Sequence, residues 1–374
     1  VRITWLWIIT AAYALAFTSQ PFHLRSNTSA IKEERQWHLN SLHALEAHSL
    51  SQGEGVVVAV PDSGVSPHPD LAGSLVPGTD IIPGGSGNGL SDADGHGTGM
   101  AGLIAAHAKN SSIGALGIAP RAKILPIYSS PAHRDGTSEA LAEGIDYAVS
   151  RHAQVISVSA TGAPDAHLQR AVKAAIQANV TIVAAAGNIG TSSLVGYPAS
   201  EPGVIAVGGV DRNGNHAAIS VSGPEIDVVA PAVDIYSTGL NGGYRVGTGT
   251  SDATAIVAGA AALIRSKYPN LPAAEVAHRL TATAVDKGPP GRDDQYGYGV
   301  IDLVAALTAD VPPLGFESTG VTAPAPTAAA PDAGGDNSTA RGLATLGALL
   351  AAGGAYLVWR RRRRADDPPP RISR

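Results

Sequence analysis

Four short stretches hold the residue types that acyl transfer needs, in the chain order Asp, His, Asn, Ser. Ser251 closes Gly247-Thr248-Gly249-Thr250-Ser251, and apolar residues at 253, 256, 257, 260 and 264 follow it at a helical period. Such a serine stands at the N-terminus of a buried helix. Unpaired backbone N–H groups and the positive end of the helix dipole there favour an oxyanion forming beside it. Asp62, in Val58-Ala59-Val60-Pro61-Asp62-Ser63-Gly64-Val65, is an acid at the end of an apolar run. His96 lies between glycines at the start of an apolar helix, and Asn188 follows Ala184-Ala185-Ala186-Gly187 as an amide donor at a strand end. Singly, each has an ordinary structural reading: a helix cap, a turn aspartate, a core histidine, a turn asparagine. Together they supply a nucleophile, a general base, a carboxylate to orient the imidazole and an extra oxyanion donor.

The elements that must position these groups are legible as apolar runs. Residues 56–60, 123–128, 155–159, 180–185 and 204–207 read as buried strands, and helical windows lie near 98–107, 138–150 and 166–178. Strands alternating with helices imply an α/β fold: a mainly parallel sheet covered on both faces, with active groups at the carboxyl ends of the strands. The 374 residues suffice for one large domain with accessories. With no cysteine, disulfides, thiolate catalysis and cysteine metal sites are excluded. The net charge is −5, yet the segment from Arg360 onward holds seven arginines against two aspartates, so the rest of the chain is more acidic than the total suggests. An acidic body argues against nucleic acid as the partner.

The flanks read differently. Residues 1–28 are expected to be a signal peptide, since 3–18 are apolar and uncharged and Ala14-Leu15-Ala16 offers a small-x-small cleavage pattern. Residues 29–50 form a short pro-segment or extension, with Gln36-Trp37-His38-Leu39 and a helical pattern over 42–50. The catalytic domain spans 51–308, and a Pro/Ala/Thr-rich linker over 309–340 follows. Residues 341–359 are expected to form a transmembrane helix, 342–359 being uncharged, and 360–374 a basic cytoplasmic tail. That order puts the catalytic body outside the cell, on a single-pass membrane protein.

On Asp62-Ser63-Gly64, His96-Gly97-Thr98, Ala186-Gly187-Asn188 and Gly249-Thr250-Ser251, the chain resembles the subtilisin-like serine proteases, the subtilase family (peptidase family S8), over about residues 50–308. Tyr197-Pro198-Ala199, Asp227-Val228-Val229-Ala230-Pro231 and Tyr296-Gly297-Tyr298-Gly299 extend the likeness. The resemblance implies a three-layer subtilisin-like fold, a triad of Asp62, His96 and Ser251, and an oxyanion hole of Asn188 and the Ser251 N–H. It further implies that Ser159, Ala160 and Thr161 align the substrate as an added strand, and that Ala185, Ala186 and Gly187 line the pocket before the scissile bond. Polypeptides are then the substrates, and the pH profile should rise through one ionisation near neutrality as His96 becomes the free base. Subtilases often bind calcium. Asp92-Ala93-Asp94-Gly95, however, lacks a twelve-position loop with its distal Glu, so no cofactor and no specific metal are expected.

The layout of leader, protease, Pro-rich linker, span and basic tail is similar to the mycosins, membrane-anchored subtilases of actinobacterial type VII secretion systems. That likeness implies the lipid bilayer and a secretion membrane complex as partners. Two departures stand out. Mycosins usually carry disulfides, and this chain has no cysteine. Asp252, Ala253, Thr254 and Ala255 also stand where the family commonly has a hydrophobic residue, two small residues and proline. Asp252 leaves two outcomes open: it points away from the oxyanion, or it slows the enzyme. The competing reading is a subtilase-fold scaffold subunit of a secretion complex. An esterase of another fold fits poorly, because neither a Gly-x-Ser-x-Gly elbow nor the order Ser, acid, His is present.

Overall fold

Strands without a polar face need cover on both sides, and the computed structural model supplies it. The structure describes residues 35–109, 113–131 and 136–315. Seven strands form one parallel sheet: β1 (Val57–Asp62), β2 (Thr79–Asp80), β3 (Lys123–Tyr128), β4 (Val155–Val158), β5 (Thr181–Ala185), β6 (Ile205–Val210) and β7 (Val228–Pro231), in the order β2-β3-β1-β4-β5-β6-β7. A separate antiparallel hairpin pairs β8 (Ile235–Thr238) with β9 (Tyr244–Gly247). The strand order reverses at β1, which lies between β3 and β4. In open α/β sheets that reversal leaves a crevice at the strands' carboxyl ends.

The layers on the two faces differ in character. On one side α4 (Ser138–Ser150) and α5 (Ala166–Gln177) bury Ala142, Ile145, Leu168 and Val172 and keep a polar outer face. On the other lie α3 (His96–Ala105) and α6 (Thr250–Lys267), apolar nearly all round and sunk in the larger core with Met100, Ile104, Ile256 and Leu263. A helix buried on every side is covered by further layers. Here these are the hairpin, α7 (Ala273–Ala282), α8 (Leu303–Thr308) and the N-terminal α1 (Trp37–Ser41) and α2 (Ala44–Leu50).

Residues 36–50 are integral to this body. Trp37, Leu39, Leu42, Ala44 and Ala47 join the core, the Gln36 side-chain amide donates to the Leu116 carbonyl, and the Trp37 indole N–H donates to that of Val233. At the other end the first residues assigned to the linker still engage α7: Arg279 donates to the Ala309 carbonyl, and Leu314 N–H to Glu275. The segments read as signal peptide (1–28), transmembrane helix (341–359) and basic tail (360–374) lie outside the described residues. Among the described residues no helix is long and apolar enough to cross a membrane.

Candidate active site

Asp62 is the last residue of β1, and its side chain is 7 % exposed. His96 begins α3, and its Nδ1 sits 2.8 and 3.0 Å from the two Asp62 carboxylate oxygens. A carboxylate can only accept, so Nδ1 is the protonated nitrogen, and a neutral ring keeps its lone pair on Nε2. The buried Asp62 charge lifts the His96 pKa from its ordinary 6.5 to about 9, against the opposing effect of burial. The sequence expectation of a near-neutral ionisation is therefore moved upward. Composition could not show it, because the shift comes from how closely the fold sets the Asp62 charge against the ring.

The loop that delivers His96 is held by a residue that the motif reading passed over as a calcium candidate. The Asp92 carboxylate accepts hydrogen bonds from the Ser63 hydroxyl, from the N–H groups of Asp94, Gly95 and Thr98, and from the Thr98 hydroxyl. Ser63 Oγ in turn accepts from Gly97 N–H, so this cluster ties the start of α3 to the end of β1. Among the described residues no three metal-ligating side chains gather into a site.

Ser251 is the second residue of α6, and Gly249 precedes the helix. Its hydroxyl donates to the Ser159 carbonyl at 3.1 Å, while the Ser159 hydroxyl donates to the Ser251 carbonyl at 3.2 Å. The serine is thus fastened to the extension of β4. Asn188, three residues beyond β5, has its Oδ1 fixed by Thr250 N–H at 3.0 Å and by the Thr250 hydroxyl at 3.2 Å. Since that N–H is a donor, the carbonyl oxygen of the amide must face it, leaving the NH₂ free to point elsewhere. Thr250, which fixes the Asn188 amide, is a positioning residue.

Asp62, His96, Ser159, Ala160, Thr161 and Asn188 line a cleft of about 380 Å³, and Ser251 is joined to its wall through the Ser159 carbonyl. Gly187 borders it beside Thr161, since a Cβ placed on Gly187 would lie 3.6 Å from Thr161 Cγ2. Ala185 and Ala186, expected in the wall of the pocket, are instead buried. Ala185 ends β5, and Ala186 packs with Val210, Ile226 and Val229 on the far side of the strand end. Thr161 also presses on Gly196, where an added Cβ would come within 2.6 Å of Thr161 Cβ. Thr161 therefore borders both glycine positions at the mouth of this cleft.

Asp252, the departure noted in the serine motif, has a charged partner that the sequence did not reveal. Its carboxylate is 3 % exposed and pairs with Arg245 of β9, Nη1 to Oδ1 at 3.3 Å. A site with an imidazole held by a buried carboxylate, a serine on a helix N-terminus and an oriented amide at the carboxyl ends of parallel strands has the parts for nucleophilic acyl transfer.

Residues 53–299 match the Subtilase family. Subtilisin BL of Lederbergia lenta is 38% identical over 272 residues, covering 72% of this chain and 97% of that protein. Subtilisin E of Bacillus subtilis (strain 168) is 42% identical over 274 residues, covering 72% of this chain and 70% of that one. Among solved structures, MycP1 from Mycobacterium smegmatis superposes with a TM-score of 0.68 at 30% identity, covering 77% of this chain and 87% of its own. MycP3 protease from the type VII (ESX-3) secretion system gives a TM-score of 0.65 at 32% identity, covering 73% and 88%. The chain belongs to the subtilase family. It is a subtilisin-like serine endopeptidase, a hydrolase of peptide bonds, whose structural neighbours are mycosin proteases.

Proposed function

We propose that Asp62, His96 and Ser251 act as the catalytic triad and that the chain is a membrane-anchored endopeptidase working outside the cytoplasm. The observation that carries the chemistry is the paired contact of His96 Nδ1 with both oxygens of the buried Asp62, which leaves Nε2 as the base. Ser251 turns from Ser159 toward Nε2 and attacks the scissile carbonyl carbon as its proton passes to His96. Asp62 compensates the imidazolium. The carbonyl π pair moves onto oxygen, where the Asn188 NH₂ and the first-turn N–H of Ser251 receive it. His96 then protonates the departing amine, the C–N bond breaks, and water repeats the sequence on the acyl-enzyme.

The substrate lies as an extended strand beside residues 159–162, with its scissile carbonyl between Ser251 and Asn188. The side chain before the scissile bond, P1, enters the gap between Thr161 and Gly187. The anchoring rests on the uncharged run 342–359 and the arginines behind it, and a role in a type VII secretion complex rests on the likeness to MycP1 and MycP3. No metal or cofactor takes part in this reading. Full-length protein expressed in cells tests it. Peptidase activity should sediment with membranes, resist extraction by alkaline carbonate, and disappear in Ser251→Ala. Activity that stays in the soluble fraction would remove the anchor, and activity that survives Ser251→Ala would remove the triad.

A further inference from the structure

The charge at position 252 sits one residue after the serine, in the helical turn where an oxyanion would gather its hydrogen bonds. A lone carboxylate there would oppose that charge. The structure supplies a slot for its counterion. Arg245 lies against two glycines: a Cβ on Gly99 would meet its Nη1 at 2.5 Å, and one on Gly247 would meet its Nη2 at 2.5 Å and the Asp252 oxygens at 2.6 and 2.7 Å. Gly99 belongs to α3, the helix that His96 begins, and Gly247 ends β9. The hairpin carrying Arg245 is pinned to α3 by the Ser237 and Thr238 hydroxyls, each donating at 2.7 Å, to the carbonyls of Gly99 and Thr98 respectively. The pair thus lies between the helix that presents the base and the helix that presents the nucleophile.

We propose that Arg245 is a positioning residue of the hydrolytic site: it holds the Asp252 carboxylate in the slot between Gly99 and Gly247 as a neutral pair, so that the first turn of the serine helix presents no net negative charge to the oxyanion or to His96. This rests on the triad reading above. The charged groups facing His96 are Asp62 from β1, Asp94 from the preceding loop, which accepts the His96 N–H, Arg245 from β9 and Asp252 from α6. Arg245 pulls the His96 pKa down and Asp252 pushes it up, so the two oppose each other while the pair is intact. Burial raises the Asp252 pKa, and Arg245 and His96 oppose that rise.

The test compares full-length wild type with Arg245→Met, Asp252→Met and the double variant. It measures kcat and KM on a peptide anilide against pH, and the His96 imidazole pKa by NMR, with the resonance assigned through His96→Ala. Arg245→Met should lower kcat by about tenfold or more with KM little changed and should raise the His96 pKa, because an uncompensated charge in a low-dielectric site acts at close range. Asp252→Met should lower that pKa, and the double variant should return both quantities most of the way to wild type. Arg245→Lys, which keeps the charge, should retain the wild-type pH profile. Arg245→Gln replaces Arg245→Met, and Asp252→Asn replaces Asp252→Met, where the first choice does not fold. Unmoved kcat and His96 pKa in a folded Arg245→Met protein, or a loss that the double variant does not recover, would overturn the proposal. Failure of the triad reading is distinguishable: a wild type inert toward peptides whose His96 pKa still shifts as stated would sink the triad and keep the pair.

Discussion

Thr161→Gly should convert a protease restricted to small P1 side chains into one that accepts large apolar ones. An aromatic ring needs about 3.5 Å of carbon contact on each face, so a slot less than about 7 Å across excludes it. Here the Thr161 methyl already lies at ordinary contact distance from a Cβ position on Gly187, 3.6 Å, and its Cβ crowds the Gly196 position at 2.6 Å. Removing the hydroxyl and methyl opens the space between those two glycines. Full burial of a phenylalanine side chain is worth about 1.5–3 kcal/mol, so kcat/KM for a Phe-P1 substrate should rise about 10- to 150-fold. The Ala-P1 substrate should change little. The assay is a set of peptide anilides differing only at P1, measured with wild type and variant. A wild type that prefers Phe or Leu over Ala, or a ratio unmoved in Thr161→Gly, would refute this placing of the P1 side chain.

Asn188→Ala should lower kcat by about 10²- to 10³-fold with little change in KM, the size known for oxyanion donors in subtilisins, and Asn188→Asp should be worse; steady-state kinetics on a folded variant checks it. The kcat/KM profile should climb with pH to a plateau above about 9, and Asp62→Asn should move the climb to lower pH while lowering the rate by about 10⁴-fold. The same raised pKa gives charged His96 a stabilising contribution that is complete below pH 6.5 and lost as pH rises through about 9, so the Tm difference from His96→Ala should fade over that window. His38, 1 % exposed with neither ring nitrogen hydrogen-bonded, has its pKa lowered by burial to about 3. Its folded value lies below the unfolded one, so stability should fall as pH drops from 6.5 toward 3, by at most about 1.4 kcal/mol per unit, and His38→Leu should flatten that slope in acid melts.

The sequence exposed this architecture where burial is periodic or continuous. The run 123–128 became β3 at the same residues, and the window 138–150 became α4, because Ala142, Ile145 and Ala148 turn one face inward. What stayed hidden depends on contacts between distant segments. The hairpin β8–β9 is short and partly polar, and only its clip to α3 gives it meaning. Arg245 and Asp252 are seven residues apart on different elements, so no periodicity joins them. Ala185 and Ala186 were expected in the pocket wall from the family resemblance, but both are buried, because the strand end they occupy is covered on both faces. The Asp92 cluster had a signal in the sequence: an aspartate two to six residues before successive N–H donors at a helix start caps that turn, whether or not a cation is near.

The central claim, that Ser251 is a nucleophile activated by His96, is tested most directly by intact-protein and peptide mass spectrometry after treatment with a fluorophosphonate. The expected result is one phosphonyl group per chain, on the peptide containing Ser251, absent in Ser251→Ala and formed far more slowly in His96→Ala. Folded wild type that takes up no label, or label that persists in Ser251→Ala, would contradict it.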